Sequence, residues 1–232
     1  MSVVAANLLD NVVWHAIAGP QHALAERVGA AGRFHSEVSP FAAIRDPSSK
    51  ATWNDLAQLV GPGRAAILFA STVDAPTGWV REHGIPCLQM VADKVPERDL
   101  TDDLIELGPD DVPDMLDLVA ATQPGPFGRR TIDFGTYLGI RSSGRLVAMA
   151  GERFRCVGFT EVSAVCVAED QRGRGLARRL VLAVVNGIRA RNEEAILHVA
   201  SDNAPAIALY LDLGFTVRRE AEAVIVRNQG AL

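Results

Sequence analysis

Apolar positions in the second half of the chain follow two periods, and the change from one to the other sets the order of elements. Leu176, Leu180, Val181, Val184 and Ile188 recur at helical spacing with arginines between them. They predict a helix from the turn near Arg172 to about Arg191. Thr160–Ala168 before it and Ala195–Ala200 after it are compact apolar runs of strand length. Phe134–Arg141 and Arg145–Arg153 flank a Ser-Ser-Gly turn and predict an antiparallel hairpin. Upstream, Leu104–Leu107 reads as a strand. Val112–Ala121 reads as a helix capped by Asp110 or Asp111 and broken by Thr122–Phe127. Downstream, Ala204–Leu213 is a helix stopped by Gly214, and Phe215–Val217 and Ala223–Val226 are two closing strands.

The first half carries less chemistry. Asn7–Ala18 predicts a short helix that resumes after Gly19-Pro20 as Gln21–Val28. Ser39–Ile44 predicts a strand, and Lys50–Val60 predicts a helix with a Trp53/Leu56/Val60 stripe ended by Gly61-Pro62. Ala65–Ala70 and Ile85–Ala92 predict buried strands. The polar stretch Lys94–Asp103 has no periodicity and marks a boundary. The expected division is 1–100, an N-terminal α/β region, and 101–232, a second domain.

Composition narrows the function classes. The 232 residues are 48% hydrophobic and 22% charged, with a net charge of −5, which argues against a general nucleic-acid binder. The three cysteines are odd in number and lack metal-ligand spacing, so no metal site is expected. With no secretory signal in view they point to a reducing, cytoplasmic setting. No window reaches the ~20 apolar residues of a membrane span. A monomer or homodimer is expected.

The chemistry lies where the strand 160–168 runs into the helix. Gln-Arg-Gly-Arg-Gly, 171–175, is a glycine turn at the mouth of a helix, where unpaired amides and the helix dipole suit a phosphate. A dinucleotide-binding fold would want a small residue three positions after Gly175, and Arg178 stands there. It would also want an acid at the end of the next strand, whereas Glu193 and Glu194 precede it.

A second block, Asn203-Ala-Pro-Ala-Ile-Ala-Leu-Tyr210-Leu-Asp-Leu-Gly-Phe215, lies one strand downstream of the turn. The two blocks in this order resemble the GNAT superfamily of N-acetyltransferases. Arg172, Gly175 and Ala177 match its acetyl-CoA turn, and Asn203, Ala206, Tyr210, Gly214 and Phe215 match its following helix. The resemblance covers about residues 102–227, and the wording at 144–153, 160–167 and 197–203 is similar to the glycine N-acyltransferase-like branch. It implies a mixed, mostly antiparallel α/β sheet flanked by helices, opening in a V where the central strands part. The N-terminal part is then an additional half, a degenerate acetyltransferase-like one.

The resemblance also implies roles. Pyrophosphate is expected on the amides of Gly173, Arg174, Gly175, Leu176, Ala177 and Arg178, within reach of the side chains of Arg172, Arg174, Arg178 and Arg179. The pantetheine arm and the acetyl carbonyl are expected on the backbone of Val165, Cys166 and Val167, with Asn203 as cap and cofactor contact. Tyr210 is expected to protonate the departing thiolate, and Glu161 to act as the base. Even spacing places Glu161 on one face with Ser163, Val165 and Val167. The implied activity is transfer of acetyl from acetyl-CoA to a primary amine on a small molecule or peptide. A non-catalytic acyl-CoA sensor and a dinucleotide-binding module are the alternatives.

Overall fold

The computed structural model describes residues 8–70, 73–97 and 104–230. Part of the boundary expected at Lys94–Asp103, residues 98–103, lies outside them.

The elements in chain order are α1 (Val12–Ala18), β1 (Ala25–Val28), β2 (Ala31–Phe34), β3 (Phe41–Ile44), α2 (Lys50–Val60), β4 (Ala65–Ala70) and β5 (Trp79–Val91). Then follow β6 (Ile105–Glu106), α3 (Val112–Thr122), β7 (Tyr137–Ser142), β8 (Arg145–Cys156) and β9 (Phe159–Val167). The chain closes with α4 (Leu176–Ala190), β10 (Glu194–Ala200), α5 (Ala204–Leu213) and β11 (Thr216–Asn228). All strands join one eleven-stranded sheet in the order β1-β2-β3-β4-β11-β5-β10-β9-β8-β7-β6. It is a mixed α/β sheet, mostly antiparallel, with parallel neighbours at β3/β4 and β9/β10.

The two halves therefore meet inside the sheet. β5, from the first half, lies between β10 and β11 of the second, paired antiparallel to both. The sheet curls so that Phe154 of β8 touches Phe34 of β2 and Phe41 of β3 through ring contacts of 5.8 and 5.2 Å. Helix α1 fills the concavity with Val12, Val13, Ala16 and Ile17. On the convex side α3 and α4 bury Met115, Leu118, Leu180, Val181, Val184 and Ile188. The α4 residues among these are four of the five in the helical repeat read in the sequence, Leu176 being half-buried, and burying them stabilises the layer by about 1.5–3 kcal/mol per large side chain.

Three local expectations need correction. Gln21–Val28 is not a helix: a single 3-10 turn, His22–Leu24, leads into β1. Its residues favour helix locally, but pairing with β2, whose Ala31 and Phe34 are buried, overrides that preference. The two closing strands are one, β11, held continuous by β5 on one side and β4 on the other. Finally, the two-residue period of β9 does not run through. Gly151 faces Ser163 while Met149 faces Cys166, so β9 carries an extra residue there, and Ala164 sits at φ +51°. Counting by twos from Glu161 to Val165 and Val167 fails across this bulge.

Candidate active site

β9 and β10 run parallel only at Phe159↔Glu194, Thr160↔Ala195 and Glu161↔Ile196. Beyond this fork β10 follows β5 and β9 follows β8, so the sheet opens in a V. The Ala168 amide donates to Val147 of β8 at 2.8 Å. By alternation, Val167, which lies outside the bulge, turns its backbone groups the other way. Cys166 faces β8 instead, and burial pushes its thiol up to about 11, which is packing and not nucleophile chemistry.

The turn follows at once. A short 3-10 segment, Glu169–Gln171, leads to Gly173 and Gly175, both left-handed at φ +75° and +74°. Gly175 is the residue on which α4 starts. A side chain at either glycine would touch nothing, so the backbone conformation, not crowding, demands glycine here. Arg172 N–H donates to Glu169 and Arg179 N–H to Gly175. Among the described residues, no acceptor takes the amides from Gly173 to Arg178 between them. This run of free donors at a helix start is the donor set a pyrophosphate needs. The Arg178 guanidinium is bound to Asp212 of α5, which ties the two helices together.

On α5, the Asn203 carboxamide oxygen accepts from Ala206 N–H at 3.2 Å, so the N-cap is real. Tyr210 is buried against Phe215, ring centroids 5.8 Å apart, and burial pushes its phenol up to about 12. It is therefore protonated across the neutral range.

Glu161 sits at the fork and is fully buried. Its two oxygens receive Arg153 Nε and Nη2, both at 2.7 Å, and Oε1 also receives His198 Nδ1 at 2.6 Å. Burial alone would raise its pKa. The Arg153 charge, then His198 and the hydrogen bonds, overcome this and hold it down at about 2. Arg153 stacks over Phe154 and Phe41 at 4.5 and 5.2 Å, so the pair is embedded in the aromatic concavity. A carboxylate so engaged has little appetite for a proton. Arg153 and His198 escape a reading by motif, because each is far in sequence from Glu161 or masked by ordinary strand context.

A cleft of about 850 Å³ lies elsewhere, lined mainly by residues 33–42 and 60–66 of the first half, with Arg130 and Arg227. None of the sequence-predicted site residues lines it. Among the described residues no group of His, Cys, Asp and Glu is arranged to hold a metal ion, and no helix is long and apolar enough to cross a membrane.

A forked parallel strand pair, a bulge, a glycine turn opening a helix and a capped helix carrying a tyrosine define an acyltransferase architecture. Residues 137–224 match the model of the FR47-like protein family. A solved structure from Novosphingobium aromaticivorans DSM 12444, assigned to the GNAT family as an acetyltransferase, is 40% identical. It superposes with a TM-score of 0.87 over 96% of this chain and 99% of that one. The chain belongs to the GNAT family. A mycothiol acetyltransferase of Saccharomonospora viridis is 50% identical over 56 residues, 24% of this chain and 18% of that protein. The N-alpha-acetyltransferase RimI of Mycobacterium tuberculosis is 38% identical over 84 residues, 34% of this chain and 51% of that protein. The match thus spans under a fifth of the first relative and about half of the second.

Proposed function

We propose that the protein transfers acetyl from acetyl-CoA directly to a primary amine of a small molecule or peptide. The run of unbonded amides from Gly173 to Arg178, directly after the strand that leaves β10, carries the reading. The helix dipole adds about 1–2 kcal/mol for an anion in such a partly buried place. Val165 and Val167 offer backbone groups to the pantetheine arm and the thioester carbonyl. The amine nitrogen bonds to the carbonyl carbon, the C–S bond breaks, and Tyr210 gives its proton to the departing sulfur. The nitrogen's surplus proton leaves to water. Glu161, held ionised by Arg153 and His198, supplies negative charge at the fork and is not the group that keeps the proton. Acetyl transfer in the names of both relatives supports the acyl group. It does not fix the acceptor.

The N-terminal half reads as a degenerate copy. β3, α2 and β4 repeat the β9–α4–β10 arrangement, parallel strands joined by a helix and paired only at Phe41↔Ile67 and Ala42↔Leu68. The turn between β3 and α2 has no glycine, and Asp46 accepts the Ser48 amide at 3.0 Å. Membership of the glycine N-acyltransferase-like branch fits this two-half layout.

Titration calorimetry with acetyl-CoA and NADH, together with a thiol-release screen over an amine library, tests the reading. Acetyl-CoA binding with amine-dependent CoA release is the expected result. NADH binding without CoA binding would overturn it. Acetyl-CoA binding with no release across a broad library would leave an acyl-CoA sensor.

A further inference from the structure

Gln89 of β5 stands directly opposite His198 of β10. Two one-way partners fix its carboxamide. The Leu9 carbonyl only accepts, and it takes a bond from Gln89 Nε2 at 2.9 Å. Arg218 only donates, and its Nη1 reaches Gln89 Oε1 at 2.6 Å. The second hydrogen on Gln89 Nε2 then points at His198 Nε2, 3.0 Å away. That ring nitrogen must offer its lone pair, so the ring proton is on Nδ1, 2.6 Å from Glu161 Oε1.

The surroundings hold this order in place. Phe69 covers the imidazole with ring centroids 4.4 Å apart. Gln89 is 2% exposed, and the His198 side chain 3%. Arg218 reaches inward because β11 carries an extra residue between Val217 and Arg219, and Asp10 accepts from its Nη2 at 2.6 Å. A hydrogen-bonded chain thus runs from Asp10 at the surface, through Arg218, Gln89 and His198, to Glu161 and Arg153 at the fork. Two of its six members, Asp10 and Gln89, belong to the N-terminal region.

We propose that Gln89 is a positioning residue for the acetyltransferase site: it fixes His198 as the Nδ1–H tautomer that holds Glu161 against Arg153. The N-terminal half thereby takes part in the geometry of a site built on the second half. The catalytic consequence rests on reading the fork as the thioester cleft, whereas the tautomer itself does not.

Ring-nitrogen NMR of the protein labelled with nitrogen-15 at histidine tests it. In the wild type, His198 shows a protonated Nδ1 and a bare Nε2. Gln89→Glu turns the donor into an acceptor, so Nε2 gains a proton and both ring nitrogens are protonated. Turnover then falls about tenfold with the acetyl-CoA KM within twofold, far short of the ~10⁴-fold lost when a wrong tautomer disables a base that itself moves the proton. Gln89→Met removes the donor without adding charge. It gives a mixture of tautomers with a smaller loss, and serves if the glutamate variant does not fold. A protonated Nε2 in the wild type overturns the proposal, as does an unchanged tautomer and turnover in a folded variant. Failure of acetyl-CoA to bind would instead strike the acetyltransferase reading and leave the spectrum to decide this one.

Discussion

Glu161 and Arg153 face each other through two bonds of 2.7 Å where the carboxylate sees no solvent. Breaking such a pair from one side leaves a buried cation uncompensated, which costs about 3–5 kcal/mol. Glu161→Gln should therefore lower Tm by about 10 °C in a chain of this size, measured by calorimetry. A loss of only a degree or two would mean that the pair contributes little.

The same carboxylate sets an acid limit. Its pKa in the folded protein, about 2, lies below the ordinary value of 4.5. The stability it contributes is thus complete above the ordinary value and is lost as pH falls toward 2. Denaturant titrations from pH 5 to pH 2 should show a steep decline that flattens in Glu161→Gln.

At the turn, Gly175→Ala places a side chain at φ +74°, at a cost of about 1–2 kcal/mol in backbone conformation. Any shift that relieves this strain moves the amides of Leu176 and Ala177. The acetyl-CoA KM should rise about tenfold, the equivalent of roughly 1.4 kcal/mol, with kcat changed less. Steady-state kinetics across acetyl-CoA concentrations would show it.

Tyr210→Phe keeps the ring packed on Phe215 and removes only the hydroxyl. Turnover should fall at least about 10²-fold, the lower end for a positioned acid, with acetyl-CoA affinity unchanged. Equal turnover would remove Tyr210 from the mechanism.

Ala164 is the odd residue of β9, left-handed at φ +51° within a strand. Ala164→Gly relieves that conformation but gains freedom in the unfolded chain, so the net stabilisation should stay below about 1 kcal/mol. Thermal melts should show Tm unchanged or higher by up to a few degrees. A clear fall would show that the methyl group packs more favourably than its backbone suffers.

Legibility in the sequence followed the range of the forces involved. Lys50–Val60, Ala65–Ala70 and Ala204–Leu213 end where their own glycines, prolines and stripes say they end. The glycine turn at 173–175 and the Asn203 cap were legible for the same reason, since their geometry is written in consecutive residues. β1 was not, because Ala25–Val28 becomes a strand only through pairing with β2. The bulge at Ala164 left no mark, since alanine is not the residue that advertises a positive φ. The partners of Glu161 were equally silent. Arg153 and His198 look like ordinary strand residues until the fork brings them to one carboxylate. Gln89 lies 109 positions from His198, with no motif between them.

The place of β11 bears on how the chain reaches this state. It supplies a neighbour to both β4 and β5, which end well over a hundred residues earlier. Until it arrives, β4 and one edge of β5 present open ladders to any passing strand. During synthesis from the N-terminus, the first half waits as an unfinished template until β11 is made, and closure depends on pairings that span well over a hundred residues. Removal of β11 from Ala221 onward should therefore yield aggregation and not a trimmed, soluble protein, although the glycine turn at 173–175 would be intact.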